Sequence, residues 1–230
     1  MRSFWLVLTL AACASAPSTG SVRPDEMSAA GHEAEAQREE TAAAWHAKQY
    51  DPYAGRPCIP NAAVGERDPC AVSVANPTAE HLREAEAHRR HAAEHRAASK
   101  VLRDAEAKAC SGVAGEDRDL SPFFHREDIV RVEPLREPQS FGDPKPLGAR
   151  VVFRHIPGMT PEFLQHLVDC HLARNAAMGT DMPEMEYCPL ALPGVTAQVL
   201  RVWDGLAIEV RSSKPETALR ILARANALTQ

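Results

Sequence analysis

Histidines at regular intervals carry the most readable chemistry in this 230-residue chain, which holds 10 of them. His81, His88 and His95 recur every seven positions with Leu102 next in the series, and Ala85, Ala92 and Ser99 fill the alternate places. On a helix that repeat makes one stripe, the a/d seam of a two-helix pairing. His32, Glu39 and His46 repeat at the same interval upstream, with Glu35 and Ala42 between them. Paired antiparallel, one register sets His46 beside His81, Glu39 beside His88 and His32 beside His95, and then Ala42 meets Ala85 and Glu35 meets Ala92. A carboxylate buried without a partner is costly, so Glu35 is expected to hold the helices apart and the carboxylates to sit at the rim.

Two chemistries fit such a stripe. An imidazole ordinarily gains its charge near pH 6.5, which makes His–Glu pairing pH-sensitive, and a neutral imidazole is a ligand for zinc, copper or nickel. His91 and His95 stand at i and i+4 with His88 one turn earlier, and Glu35, Glu39 or Glu84 could complete a shell. The ligand set expected for an ion is His88, His91, His95 and Glu39. Against it stands a reading that needs no ion, half-exposed spacers in a helix biased to Ala, Glu, Arg and His. His91-Ala92-Ala93-Glu94-His95 is also similar to the H-x-x-E-H pattern of inverted zinc peptidases, in which two His hold zinc and the Glu is the general base. Such enzymes need a further acidic ligand on a second packed helix and a closed chamber. This chain cannot build that chamber, a thin hairpin supplies neither the open water-holding position nor the dry cleft that catalytic zinc needs, and the motif is read as a chance match. With no nucleophile elbow, P-loop or dinucleotide fingerprint in the chain, no catalytic residue is assigned.

The cysteines speak to the compartment. A single cation, Arg2, precedes the apolar run Phe4 to Leu10, too short to cross a hydrocarbon core of about 30 Å and of the length of a secretory h-region. Leu10-Ala11-Ala12-Cys13 closes it and resembles the lipobox of bacterial lipoproteins. That resemblance implies a signal peptide over 1–12, acyl chains on Cys13 and a stable hold on a membrane. Ala14, rather than the Asp that marks inner-membrane retention in such lipoproteins, implies the outer membrane. Five cysteines remain, an odd number in an oxidising compartment. Proximity along the chain pairs Cys58 with Cys70 and Cys170 with Cys188, leaving Cys110 over.

Around these residues the chain divides by composition. Residues 13–25 read as a flexible tether and 26–112 as a helical hairpin, whose helices run from Asp25 to about Gln49 and from Asn76 to about Cys110 around a Pro- and Cys-bearing loop. Asn76 and Pro77 are read as N-cap and first residue of the second helix. Leu82, Val101 and Leu102 are that helix's large apolar residues, too few for a deeply buried core helix. Residues 113–147 carry five prolines and read as an irregular connector with one short strand near Ile129 to Val132. From 148 to 230 the pattern is β-α-β-β-α, with Asp204-Gly205 marking a two-residue hairpin and a last helix from Pro215 to about Ala227. The fold class is therefore α+β, a long helical hairpin followed by a small ferredoxin-like domain.

Ile156-Pro157-Gly158-Met159-Thr160, between strand and helix, resembles the entry to a heavy-metal-associated domain, whose motif is Gly-Met-Thr-Cys-x-x-Cys. Pro161 and Leu164 stand where the two thiolates belong, so the resemblance implies that layout without its Cu(I) chemistry. Cys170, His171, Met178, Met182, Met185 and Cys188 offer other soft ligands, or else the methionines fill gaps in a small core. His125, His155 and His166 are read as surface or satisfied side chains. The net charge of −5 and the lack of a Lys/Arg block exclude a nucleic-acid footprint. Together these features predict a non-catalytic, lipid-anchored protein of the bacterial outer membrane, facing the periplasm or cell surface and binding an envelope protein, with no cofactor. The alternative is an envelope protein that binds or sequesters zinc or copper through the hairpin.

Overall fold

A computed structural model describes residues 27–54, 76–180 and 183–230. The signal peptide, Cys13, the tether and the Cys58–Cys70 bridge expected from the sequence lie outside the described residues, as does Met182. Two long helices come first, α1 (Ala29–Gln49) and α2 (Ala79–Ala109), then a short α3 (Gly115–Asp119). The strands β1 (Ile129–Glu137) and β2 (Lys145–Arg154), the helix α4 (Pro161–Met178), the strands β3 (Val195–Val202) and β4 (Gly205–Ser212) and the helix α5 (Pro215–Ala227) complete the order. The architecture is α+β, a helical hairpin followed by a four-stranded antiparallel sheet in the order β1-β2-β4-β3.

Local chemistry sets the helix ends. Ser28 caps α1 by accepting from the Gly31 N–H at 3.1 Å, and Thr160 caps α4 by accepting from the Phe163 N–H at 3.2 Å, with Pro161 in the first turn. Asn76 does not cap α2 directly. Its side chain accepts from the Thr78 N–H at 2.8 Å, a side-chain-closed turn, and the helix starts at Ala79. The same residues lock the hairpin's distal end, because Asn76 Nδ2 and Thr78 Oγ1 both donate to the Asp51 carbonyl, at 2.8 and 3.1 Å.

One face of the sheet is the core. Ala149, Val151 and Phe153 of β2 and Leu206, Ile208 and Val210 of β4 alternate inward against Leu164 and Val168 of α4 and Ile221 and Ala225 of α5. The β2-α4-β3 unit leaves a gap between two parallel strands, which β4 fills by pairing antiparallel with both. A β-α-β-β-α-β chain carries its remaining strand last. Here a strand comes first instead, and β1 pairs with the free side of β2. The expected irregular connector 113–147 is corrected accordingly: β1 spans nine residues and β2 starts at Lys145. Pro134 misleads the reading, because a residue without an N–H is tolerated in an edge strand, and β1 is one. The hairpin at Asp204-Gly205 forms with Trp203 and Asp204 in the turn, and Gly205, at φ 153°, opens β4 where an added Cβ would lie 2.1 Å from the Phe153 carbonyl oxygen.

The opposite face carries a chain of charges, Asp204, Arg131, Glu133, Arg150, Glu209 and Arg211, each paired with the next either across strands or two residues along one strand. Burial alone would raise the Glu209 carboxyl, but Arg211 and Arg150 outweigh it and hold that group below the usual carboxylate range.

Hairpin and sheet domain join through α4. Its Leu167 and Cys170 meet Cys110 and Val113 at the end of α2, and Cys110 and Cys170 form a disulfide. Arg174 extends the joint with ion pairs to Glu106 at 3.0 Å and Asp119 at 2.5 Å. The expected Cys170–Cys188 bridge and unpaired Cys110 are thereby corrected: Cys188 is a free thiol buried in the sheet core. Proximity in sequence pointed to the wrong partner because α2 ends against α4, a contact with a separation of 60 residues. Among the described residues no helix is long and apolar enough to cross a membrane.

Candidate functional site

The hairpin seam takes the register read from the repeats. His46 Nδ1 faces His81 Nδ1 at 3.1 Å, His32 Nδ1 faces His95 Nδ1 at 2.9 Å, and His88 Nδ1 lies 2.6 Å from Glu39 Oε2. The layers between the histidines differ from expectation. Ala29, Ala36 and Ala43 are buried on α1, opposite Ala85, Ala92 and Ser99 on α2, whereas Ala42 and Glu35 are only partly covered. A heptad stripe steps by four and then three residues, so the place after His32 is Ala36 and not Glu35. Alanine on both sides removes the obstacle Glu35 posed. Glu35 pairs instead with Arg38 on its own helix, and Glu40 reaches Arg96 across the hairpin at 2.6 Å.

The expected metal ligands do not assemble as one set. Glu39 gathers His88 and, at 3.8 Å, His91, whose side chain is 57% exposed, while His95 turns to His32. Among the described residues no three His, Cys, Asp or Glu side chains are grouped so as to hold a metal ion. The distal end of the seam is instead an aromatic cluster. Trp45 stands edge-on to His46 and to His81, with ring centres 4.7 and 5.9 Å apart, and His88 stacks on His46 at 5.3 Å.

A second grouping brings together two of the soft side chains singled out from the sequence, His171 and Cys188, and adds Ser121, which was not. Cys188 Sγ lies 3.4 Å from His171 Nε2 and accepts a hydrogen bond from Ser121 Oγ at 3.1 Å. These residue types could act as nucleophile and base, but their environment opposes it. Burial, with Arg174 nearby, pushes His171 down to about 4, and burial pushes the Cys188 thiol up, so both are neutral at neutral pH. A reactive cysteine needs its thiolate and access to substrate, and this one has neither. The segment around it is pinned by Arg224, whose Nη1 donates to the Cys188 and Ala191 carbonyls, both at 2.9 Å. The sequence put His171 and Cys188 in one set of soft ligands, but the loop that returns Cys188 to α4 has no repeat or motif that would favour His171 over Cys170 as its neighbour or bring in Ser121.

At the end of the sheet where β2 finishes and β4 begins, Leu120, Phe124, Phe153, Met159, Phe163 and Leu167 line an open groove of about 340 Å³ with His125, Asp128 and Arg154 among its polar residues. Trp203, in the β3–β4 turn at the same end, is 91% exposed. No protein-family model matches the chain, and neither a curated protein nor a solved structure matches it.

Proposed function

We propose that the protein is a non-catalytic lipoprotein of the bacterial cell envelope, held at the outer membrane through Cys13 and presenting its hairpin and α+β domain to a protein partner. The observation that carries this reading is the Cys110–Cys170 disulfide, which fits a chain folded outside the reducing cytosol. The lipobox Leu10-Ala11-Ala12-Cys13 supplies the anchor, since several acyl chains on one residue hold a protein stably where one holds it only briefly. A binding role is favoured over catalysis because the one Cys–His contact described is buried and neutral, while the apolar groove and Trp203 lie open to a partner.

Expression of the full chain in bacteria fed a clickable palmitate analogue tests the anchor. The intact protein should incorporate label and sediment with outer membrane, and the C13A variant should lose both. A C13A chain that keeps label and membrane fractionation, or an intact chain with neither, removes the reading.

A further inference from the structure

We propose that His46 and His81, facing each other from the last turn of α1 and the first turn of α2, form a two-histidine site for a borderline divalent cation such as zinc, which clamps the distal end of the hairpin. The reading is independent of the lipid anchor. Its basis is the 3.1 Å between the two Nδ1 atoms. Zinc binds imidazole nitrogen at about 2.0–2.1 Å, and at a tetrahedral angle two such nitrogens stand ~3.3 Å apart. The rings thus need to part by only a few tenths of an ångström to become two adjacent ligands of one ion, with water filling the other positions.

Proton counting allows the exchange. In a neutral pair the Nδ1···Nδ1 contact requires one ring to donate and the other to accept. Moving the donor's proton to its own Nε2 leaves both Nδ1 lone pairs free for the ion, and the neutral pair releases no proton. Protonation of the second ring would remove the last lone pair, so acid opposes binding.

The surroundings favour a cation. Glu39, on the same helix as His46, puts its carboxylate on His88, the ring stacked on His46, so a negative charge lies one layer away. Trp45 covers the pair edge-on from the side, and His91 is the other titratable group on that carboxylate. His46 and His81 are both half-buried, which leaves water access to the metal's open positions. The backbone is already fixed there, because Asp51, Asn76 and Thr78 tie the two helix ends together. His91 and His95, the i,i+4 pair favoured by the sequence, are engaged differently, His95 with His32 across the seam and His91 loosely with Glu39.

The test is zinc competition against a chromophoric chelator with the full chain in detergent, helix content being followed by circular dichroism. The intact chain should take up zinc at micromolar free metal, and H46A and H81A should each weaken it by at least about tenfold, while H91A binds as the intact chain does. H81Q, which keeps the helix and a hydrogen-bonding side chain but offers a poor ligand, should fail like H81A. On the otherwise unaltered seam, copper(II) should quench Trp45 emission in a chain whose Trp5 and Trp203 are replaced by Phe. Zinc affinity retained in both H46A and H81A, no zinc uptake by the folded intact chain, or no quenching of Trp45 overturns the site.

Discussion

His171 shows how much one buried imidazole can cost. Its ordinary titration lies near 6.5, and burial beside Arg174 lowers it to about 4 in the folded protein. Above pH 6.5 both folded and unfolded chains leave it neutral and it adds no pH dependence. Between 6.5 and 4 the unfolded chain binds a proton that the folded chain refuses, so stability falls as pH falls. At about 1.4 kcal/mol per pKa unit the loss approaches ~3 kcal/mol once the pH reaches 4. Denaturant unfolding of wild type and H171Q at pH 7.5, 5.5 and 4 should therefore converge, the wild type losing more stability on acidification by up to that amount. Parallel pH profiles for the two proteins would show that His171 titrates in the folded state as it does in the unfolded chain. Cys188 belongs to the same argument, since a thiol held neutral next to a neutral imidazole is a packed pair and not a charge-separated one.

Among the elements, the hairpin is the one whose geometry rests on the smallest side chains. Ala36 and Ala92 are almost wholly buried, and their size lets α1 and α2 approach while histidines and Glu39 fill the layers between. A leucine at position 92 has no room, and overpacking of this kind costs about 1–3 kcal/mol. Thermal unfolding should show A92L destabilised by that amount and A93L, on the exposed face beside it, near neutral. Equal effects would mean the seam is not close-packed. The seam was also the element most legible in sequence, because a seven-residue repeat on each helix leaves few antiparallel registers and the loop places the first pair. What slipped was the choice between Glu35 and Ala36, a matter of stepping by three or four residues. The β-α-β-β-α run was legible for the same kind of reason, as periodicity and the Asp204-Gly205 turn are local signals. The start of β1 was legible too, at Ile129 to Val132, but its continuation to Glu137 was not, because Pro134 speaks against a strand without revealing that it sits at an edge. Least legible was the contact of Cys110 with Cys170, which unites segments 60 residues apart and carries no mark in the residues between.

At the level of the whole molecule, two bodies of unequal cohesion meet at one joint. The sheet domain has a continuous apolar core, whereas the hairpin buries alanines, a serine and one histidine and gains little from area alone. Its orientation on the domain depends on its contact with α4, where Val113 and Leu167 cover the disulfide, Arg174 pairs with Glu106 and Asp119, and Ser28 at the start of α1 lies beside Gly179. A cross-link between residues 60 apart removes a large set of unfolded conformations, which chain-entropy reasoning puts at ~4 kcal/mol and practice at about 2–4. Because the link also bridges the two bodies, its loss should act unevenly. In the C110S/C170S chain, hydrogen exchange should speed most in the last turns of α2 and in α3, less in the strands β2 and β4, and global stability should fall by about 2–4 kcal/mol. Uniform acceleration across sheet and hairpin would instead mark one cooperative unit in which the disulfide steadies everything alike, and a partner would then meet a rigid body and not an arm free to pivot on α4.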